Sequence, residues 1–184
     1  MPPVREKSQG APGLDVTIVI NAPPGRVLKA FFEHEALNAW WQVARSVTTP
    51  RTLGPYAVEW APTDFRDDVL GRLGGVFRGT VVQFQAGHGF FVADAFWLPP
   101  DGDPIGPMAL EVTCAPAEKS DGVRPKPVGE KSGGLRLQRD HTTATRVHVT
   151  QSGFEEGVRW RRYYEVIGYG WERALASLKS LLEQ

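Results

Sequence analysis

This 184-residue chain has one cysteine, Cys114. An internal disulfide is therefore excluded, and a reducing compartment is the simplest setting. Net charge is missing as well, since 21 Lys and Arg balance 21 Asp and Glu. With no basic field, neither nucleic acid nor an anionic membrane surface is an expected partner. No apolar run approaches the roughly 20 residues that span a bilayer. The opening MPPVREKSQGAPG lacks the apolar core of a signal peptide. The expectation is a cytoplasmic protein with no membrane insertion.

Reactive constellations are equally scarce. None of the four histidines, His34, His88, His141 and His148, stands at a metal-site spacing from another, so no metal is expected. There is no GxSxG nucleophile signature, and Gly71 to Gly75 has neither the GK[ST] ending nor the following helix of a phosphate loop. No cofactor is expected. Cys114 falls on the inward phase of a strand, where it reads as buried filler rather than a nucleophile.

Aromatic residues are plentiful, with six Trp and nine Phe, and such side chains either pack a core or wall a pocket. Residues 1 to 13, rich in Pro, Gly and charge, read as a flexible tail. Leu14 to Asn21 alternates as a first strand. Pro24 then opens a short helix bearing Val27, Leu28, Phe31 and Phe32, and a second starts near His34, which is expected to cap it. Further strands are expected over Val43 to Pro50, Tyr56 to Trp60, Val76 to Phe84, Phe90 to Leu98, Met108 to Cys114 and Ala144 to Gln151. Gly79 marks a bulge or close approach. The stretch from Ala61 to Leu73 reads as irregular. Ala117 to Gly134 is polar and reads as a mobile loop. From about Arg161 to Glu183 the apolar residues Ile167, Trp171, Leu175, Leu178 and Leu182 recur at helical spacing. Gly168 and Gly170 interrupt this helix, marking either a frayed first turn or a place where the backbone must come close to something.

The block APPGRVLKAFFEHEALNAWW, residues 22 to 41, resembles the opening of the SRPBCC (START-like) superfamily. The likeness is to the bacterial branch related to the C-terminal domain of the Hsp-ninety ATPase activator. TRVHVTQSGF, residues 145 to 154, and GYGWERALASLKSLLE, residues 168 to 183, resemble the same branch's last strand and closing helix. The resemblance implies an α+β helix-grip fold, with a curved antiparallel sheet wrapped around a long C-terminal helix and two short helices after the first strand. It also implies one domain over residues 14 to 184, with a cavity between sheet and helix. The irregular 61 to 73 segment and the 117 to 134 loop could lie over the cavity mouth.

Three functions are compatible with that layout. One is binding of a hydrophobic or aromatic small molecule. A second is a cyclase- or hydrolase-like enzyme using a cavity carboxylate, with Asp94 or Glu59 as base. The third is a chaperone-interaction module. Expected ligand-binding residues are Trp41, Tyr56, Val58, Trp60, Phe77, Asp94, Phe96, Leu110, Val112 and Trp171. Asp94 is also the candidate catalytic residue, with Arg78 as its plausible partner, because it interrupts an aromatic strand. Glu59 has the alternative of pairing with a neighbouring Arg.

Overall fold

In a computed structural model of the chain, residues 4–5, 13–117 and 144–184 are described. The alternation in LDVTIVI makes β2 (Leu14–Ile20), with Leu14, Val16, Ile18 and Ile20 buried on one face. A two-residue strand from the expected tail, β1 (Val4–Arg5), pairs with it. Helices α1 (Pro24–Lys29) and α2 (His34–Trp41) follow, and Pro24 occupies the first turn of α1, where its missing N–H costs nothing. The expected cap is absent. His34 is inside α2, and its Nδ1 lies 2.9 Å from Ser46 Oγ instead of bonding the helix's free N–H groups.

The rest of the sheet is a meander of β3 (Arg45–Thr48), β4 (Gly54–Trp60), β7 (Gly75–Gln85), β8 (Gly89–Leu98), β9 (Ile105–Ala117) and β10 (Ala144–Ser152). Between β4 and β7, the stretch expected to be irregular forms a small separate ladder of β5 (Arg66–Asp67) and β6 (Gly71–Arg72). The eight-stranded sheet runs β1-β2-β10-β9-β8-β7-β4-β3, and its paired strands are antiparallel. The α1–α2 pair carries the chain from β2 across to the far edge at β3. Apart from Ala117 at the end of β9, the expected loop lies outside the described residues.

Helix α3 (Val158–Leu182) closes the fold and begins before the expected Arg161. It buries Trp160, Tyr163, Tyr164, Trp171, Leu175 and Leu178, and each fully buried large apolar side chain is worth about 1.5–3 kcal/mol. Its C-terminal end is tied to the end of β2. Lys179 donates to the Val19 carbonyl at 2.6 Å, and the Asn21 N–H donates to Glu183 at 2.8 Å. Sheet, short helices and gripped long helix together are the expected α+β helix-grip arrangement.

Candidate functional site: an aromatic cavity under the closing helix

Between α3, the end of α2 and the β4–β7–β8 part of the sheet lies a cavity of about 560 Å³, partly open to solvent. Its size falls in the range of small-molecule sites, about 300–1,000 Å³. Tryptophan forms much of the wall. The rings of Trp40 and Trp41 stack at 4.9 Å, and Trp41 in turn meets Trp60 at 4.9 Å and Trp171 at 4.5 Å. Three indole N–H groups are held by backbone carbonyls: Trp40 by Ala30 at 2.9 Å, Trp60 by Trp41 at 2.9 Å and Trp97 by Gly74 at 2.8 Å. These bonds fix the rings, leaving their apolar surfaces for packing.

The floor and roof come from different elements. Phe77 and Trp97 reach in from β7 and β8, and Ala61, Thr63, Leu70, Leu73 and Gly74 come from the segment between β4 and β7. That segment therefore lies over the cavity, as expected of it. It is pinned to α3 by Asp67, whose carboxylate is buried and accepts hydrogen bonds from Arg162 Nε at 2.8 Å and from the Leu70 and Val69 N–H groups at 3.0 Å each. The Arg162 hydrogen bond, more than any other effect, holds the Asp67 pKa below its ordinary value. A second tether joins Arg66 to Asp101 at 2.9 Å.

Helix α3 contributes the stripe Tyr163, Val166, Ile167, Gly170, Ala174 and Ser177, at spacings of three and four. Gly170 sits in its middle, twelve residues after the helix start at Val158, so the frayed-turn explanation fails. Close backbone approach fails too at this position, because a Cβ built on Gly170 would meet nothing within 4 Å. The expected close approach is thus overturned at Gly170, which is exposed and borders the cavity. Gln42 ends α2 in a left-handed conformation, φ 57, and also lines the cavity. Deeper in, the Gln151 amide and the Tyr163 hydroxyl lie 2.6 Å apart. Burial pushes the Tyr163 pKa well above its ordinary value, which keeps it a neutral hydrogen-bonding group.

Of the expected ligand-binding residues, Trp41, Trp60, Phe77 and Trp171 are brought together around this cavity. Tyr56, Val58, Leu110 and Val112 point inward but are packed into the core, each no more than 1% exposed. For Tyr56 the cause is visible: Phe32 packs edge-on against it at 5.5 Å and Phe90 tilts over it at 5.3 Å. The α1–α2 connection thus plugs that end of the grip.

Asp94 and Phe96 are on the wrong face. Residues 78 and 80 of β7 pair with 96 and 93 of β8, and on the other side 92 and 95 pair with 110 and 108. One residue of β8 is therefore extra on both flanks, a β-bulge, and Asp94 takes a left-handed φ of 50 there. The bulge inverts the strand phase, so Asp94 is exposed, Phe96 turns away, and Trp97 enters the cavity. Asp94 makes no ion pair with Arg78. Gly79 is the partner of this bulge, since a Cβ there would lie 2.6 Å from Val92 Cγ1. Glu59 bonds Arg45 at 2.7 Å and does not line the cavity.

Sequence reading missed Trp97, Leu70, Leu73, Tyr163, Gln151 and Arg173. Tyr163 could have been found by extending the stripe one turn towards the N-terminus, whereas Trp97 needed the bulge. Cys114 is buried as expected, and burial raises its thiol pKa to about 12, which leaves it unreactive. Among the described residues, no group of three His, Cys, Asp or Glu side chains could hold a metal ion. Among the same residues, no helix is long and apolar enough to cross a membrane.

The curved sheet and the helix it grips make a START-like, helix-grip fold. No protein-family model matches the chain, and no curated protein matches it in sequence. Solved structures do match in shape. The Mesorhizobium loti protein MLL2253 is 19% identical, with a TM-score of 0.58 over 92% of this chain and 96% of that one. The AHSA1 protein of Silicibacter pomeroyi is 11% identical, with a TM-score of 0.60 over 92% and 96%. The Aha1 dimer of Colwellia psychrerythraea is 16% identical, with a TM-score of 0.54 over 93% and 96%. These likenesses show an SRPBCC, Aha1-like fold for this chain.

Proposed function

We propose that this protein binds a hydrophobic or aromatic small molecule between sheet and closing helix, acting as one unit over residues 14 to 184 in the cytoplasm. The observation that carries the reading is the cavity of about 560 Å³ walled by Trp41, Trp60, Trp171 and Phe77, in which Gly170 leaves a side-chain-sized space unfilled. Apolar walls supply affinity through burial, and a few polar groups, Gln42, Thr63, Gln151, Tyr163, Arg173 and Ser177, set orientation. The enzymatic alternative has little support, since Asp94 and Glu59 do not line the cavity and no carboxylate is among its described lining residues.

Native mass spectrometry of freshly purified protein tests this directly. A discrete non-covalent adduct of a few hundred daltons, lost on denaturation, is expected. If the intact mass equals that of the bare chain and no hydrophobic ligand restores an adduct, the reading falls. A protein-interaction role is the second reading. It is favoured by the Aha1 names of two fold neighbours and by Phe65, 61% exposed on the segment over the cavity.

A further inference from the structure

Resting on the cavity reading above, we infer that the ligand is a monoanionic amphiphile, an apolar body carrying a carboxylate or equivalent acid group that meets Arg173 at the cavity rim. Arg173 is the single charged residue among the described lining residues. It sits three residues after Gly170 on the cavity face of α3, beside the bare stretch of helix surface, and is exposed. Two other cations of the helix are already engaged: Arg162 holds Asp67 and Glu165, and Lys179 holds Glu183. The Arg173 guanidinium makes no ion pair or hydrogen bond with the described residues. A planar guanidinium with free N–H donors matches the two oxygens of a carboxylate, and no lining carboxylate competes for it. Ser177, one turn further along, is a second donor at the same rim. Its hydroxyl now bonds the Arg173 carbonyl at 3.1 Å and can turn to a ligand oxygen.

A matched pair of dyes separates the acid group from the apolar body. N-phenyl-1-naphthylamine is neutral, and 8-anilino-1-naphthalenesulfonate has the same skeleton plus one sulfonate. Fluorescence titration of the intact protein at low salt is expected to show the sulfonate binding more tightly. In Arg173→Gln that advantage should fall by about five-fold while the neutral dye's affinity stays the same, the scale of one partly exposed ion pair. Raising the salt should shrink the wild-type advantage in the same way. Displacement of the sulfonate dye by 1-naphthoate but not 1-naphthamide would place an aromatic acid in the site. Displacement by decanoate but not decanamide would place a fatty acid there. If both dyes bind and Arg173→Gln leaves their affinity ratio unchanged, the acid assignment is overturned and the cavity reading survives. If neither dye binds wild-type protein, both are overturned.

Discussion

Tyr56 holds a buried polar atom with no stated purpose. Its ring packs against Phe32 and Phe90, and its hydroxyl is buried with no hydrogen-bond partner among the described residues. Enclosing a hydroxyl without a partner costs about 1–3 kcal/mol, and the same burial raises its pKa far above the ordinary value. Tyr56→Phe should therefore leave stability unchanged or raise it by about 1 kcal/mol in urea unfolding. A loss of that size would show that the hydroxyl is satisfied after all. At this scale the sequence was legible wherever alternation continued unbroken: Leu110, Val112 and Cys114 all face inward as read. It misled at Asp94 because one inserted residue inverts the phase of everything after it. The signal was present in Gly79, correctly read as a bulge or close approach, but a glycine on β7 does not reveal which residue of β8 is the extra one.

Among the elements, the segment between β4 and β7 shows how a polar stretch becomes part of a site. Few of its residues are apolar, yet Leu70 and Leu73 face the cavity because Asp67 turns the chain and anchors it to Arg162 of α3. That contact joins residues 95 positions apart, so periodicity could not disclose it. The folded-state pKa of Asp67 lies below its ordinary 3.8. Folding therefore favours the ionised form, and its contribution is complete above the ordinary value and lost as pH falls through the lower folded value. Wild-type protein should lose stability on acidification below about pH 4, and Asp67→Asn should flatten that part of the profile. At neutral pH the variant should be less stable by about 1.5–3 kcal/mol, the worth of a hydrogen bond to a charged group. Thermal melts from pH 2 to 7 would check both, and identical acid profiles would remove Asp67 as the anchor. Helix α3 was legible in its second half, where the apolar stripe is dense. The reading from about Arg161 fell short of its start by the three residues 158–160, and the two glycines that suggested a frayed first turn lie well inside it.

For the molecule as a whole, order of elements decided the outcome. A strand, two short helices, an antiparallel meander and a long final helix leave few ways to cover one sheet face, and all three resembling blocks fall on elements that build the grip. Where the cavity lies along α3 was not legible, because core and cavity wall share one apolar surface. What separates them is packing: Phe31, Phe32 and Phe90 fill one end, with Phe32 and Phe90 centred 4.8 Å apart, while at the other end the cavity stays open and nothing lies within 4 Å of where a Cβ on Gly170 would be. The central claim is that this emptiness holds a ligand, and Gly170→Leu tests it most directly. Leucine suits a helix interior better than glycine by about 0.5–1 kcal/mol, so the variant should melt no lower than wild type. Its side chain should occupy the cavity and weaken neutral N-phenyl-1-naphthylamine binding at least ten-fold. A stably folded Gly170→Leu protein that binds the dye as tightly as wild type would contradict the account.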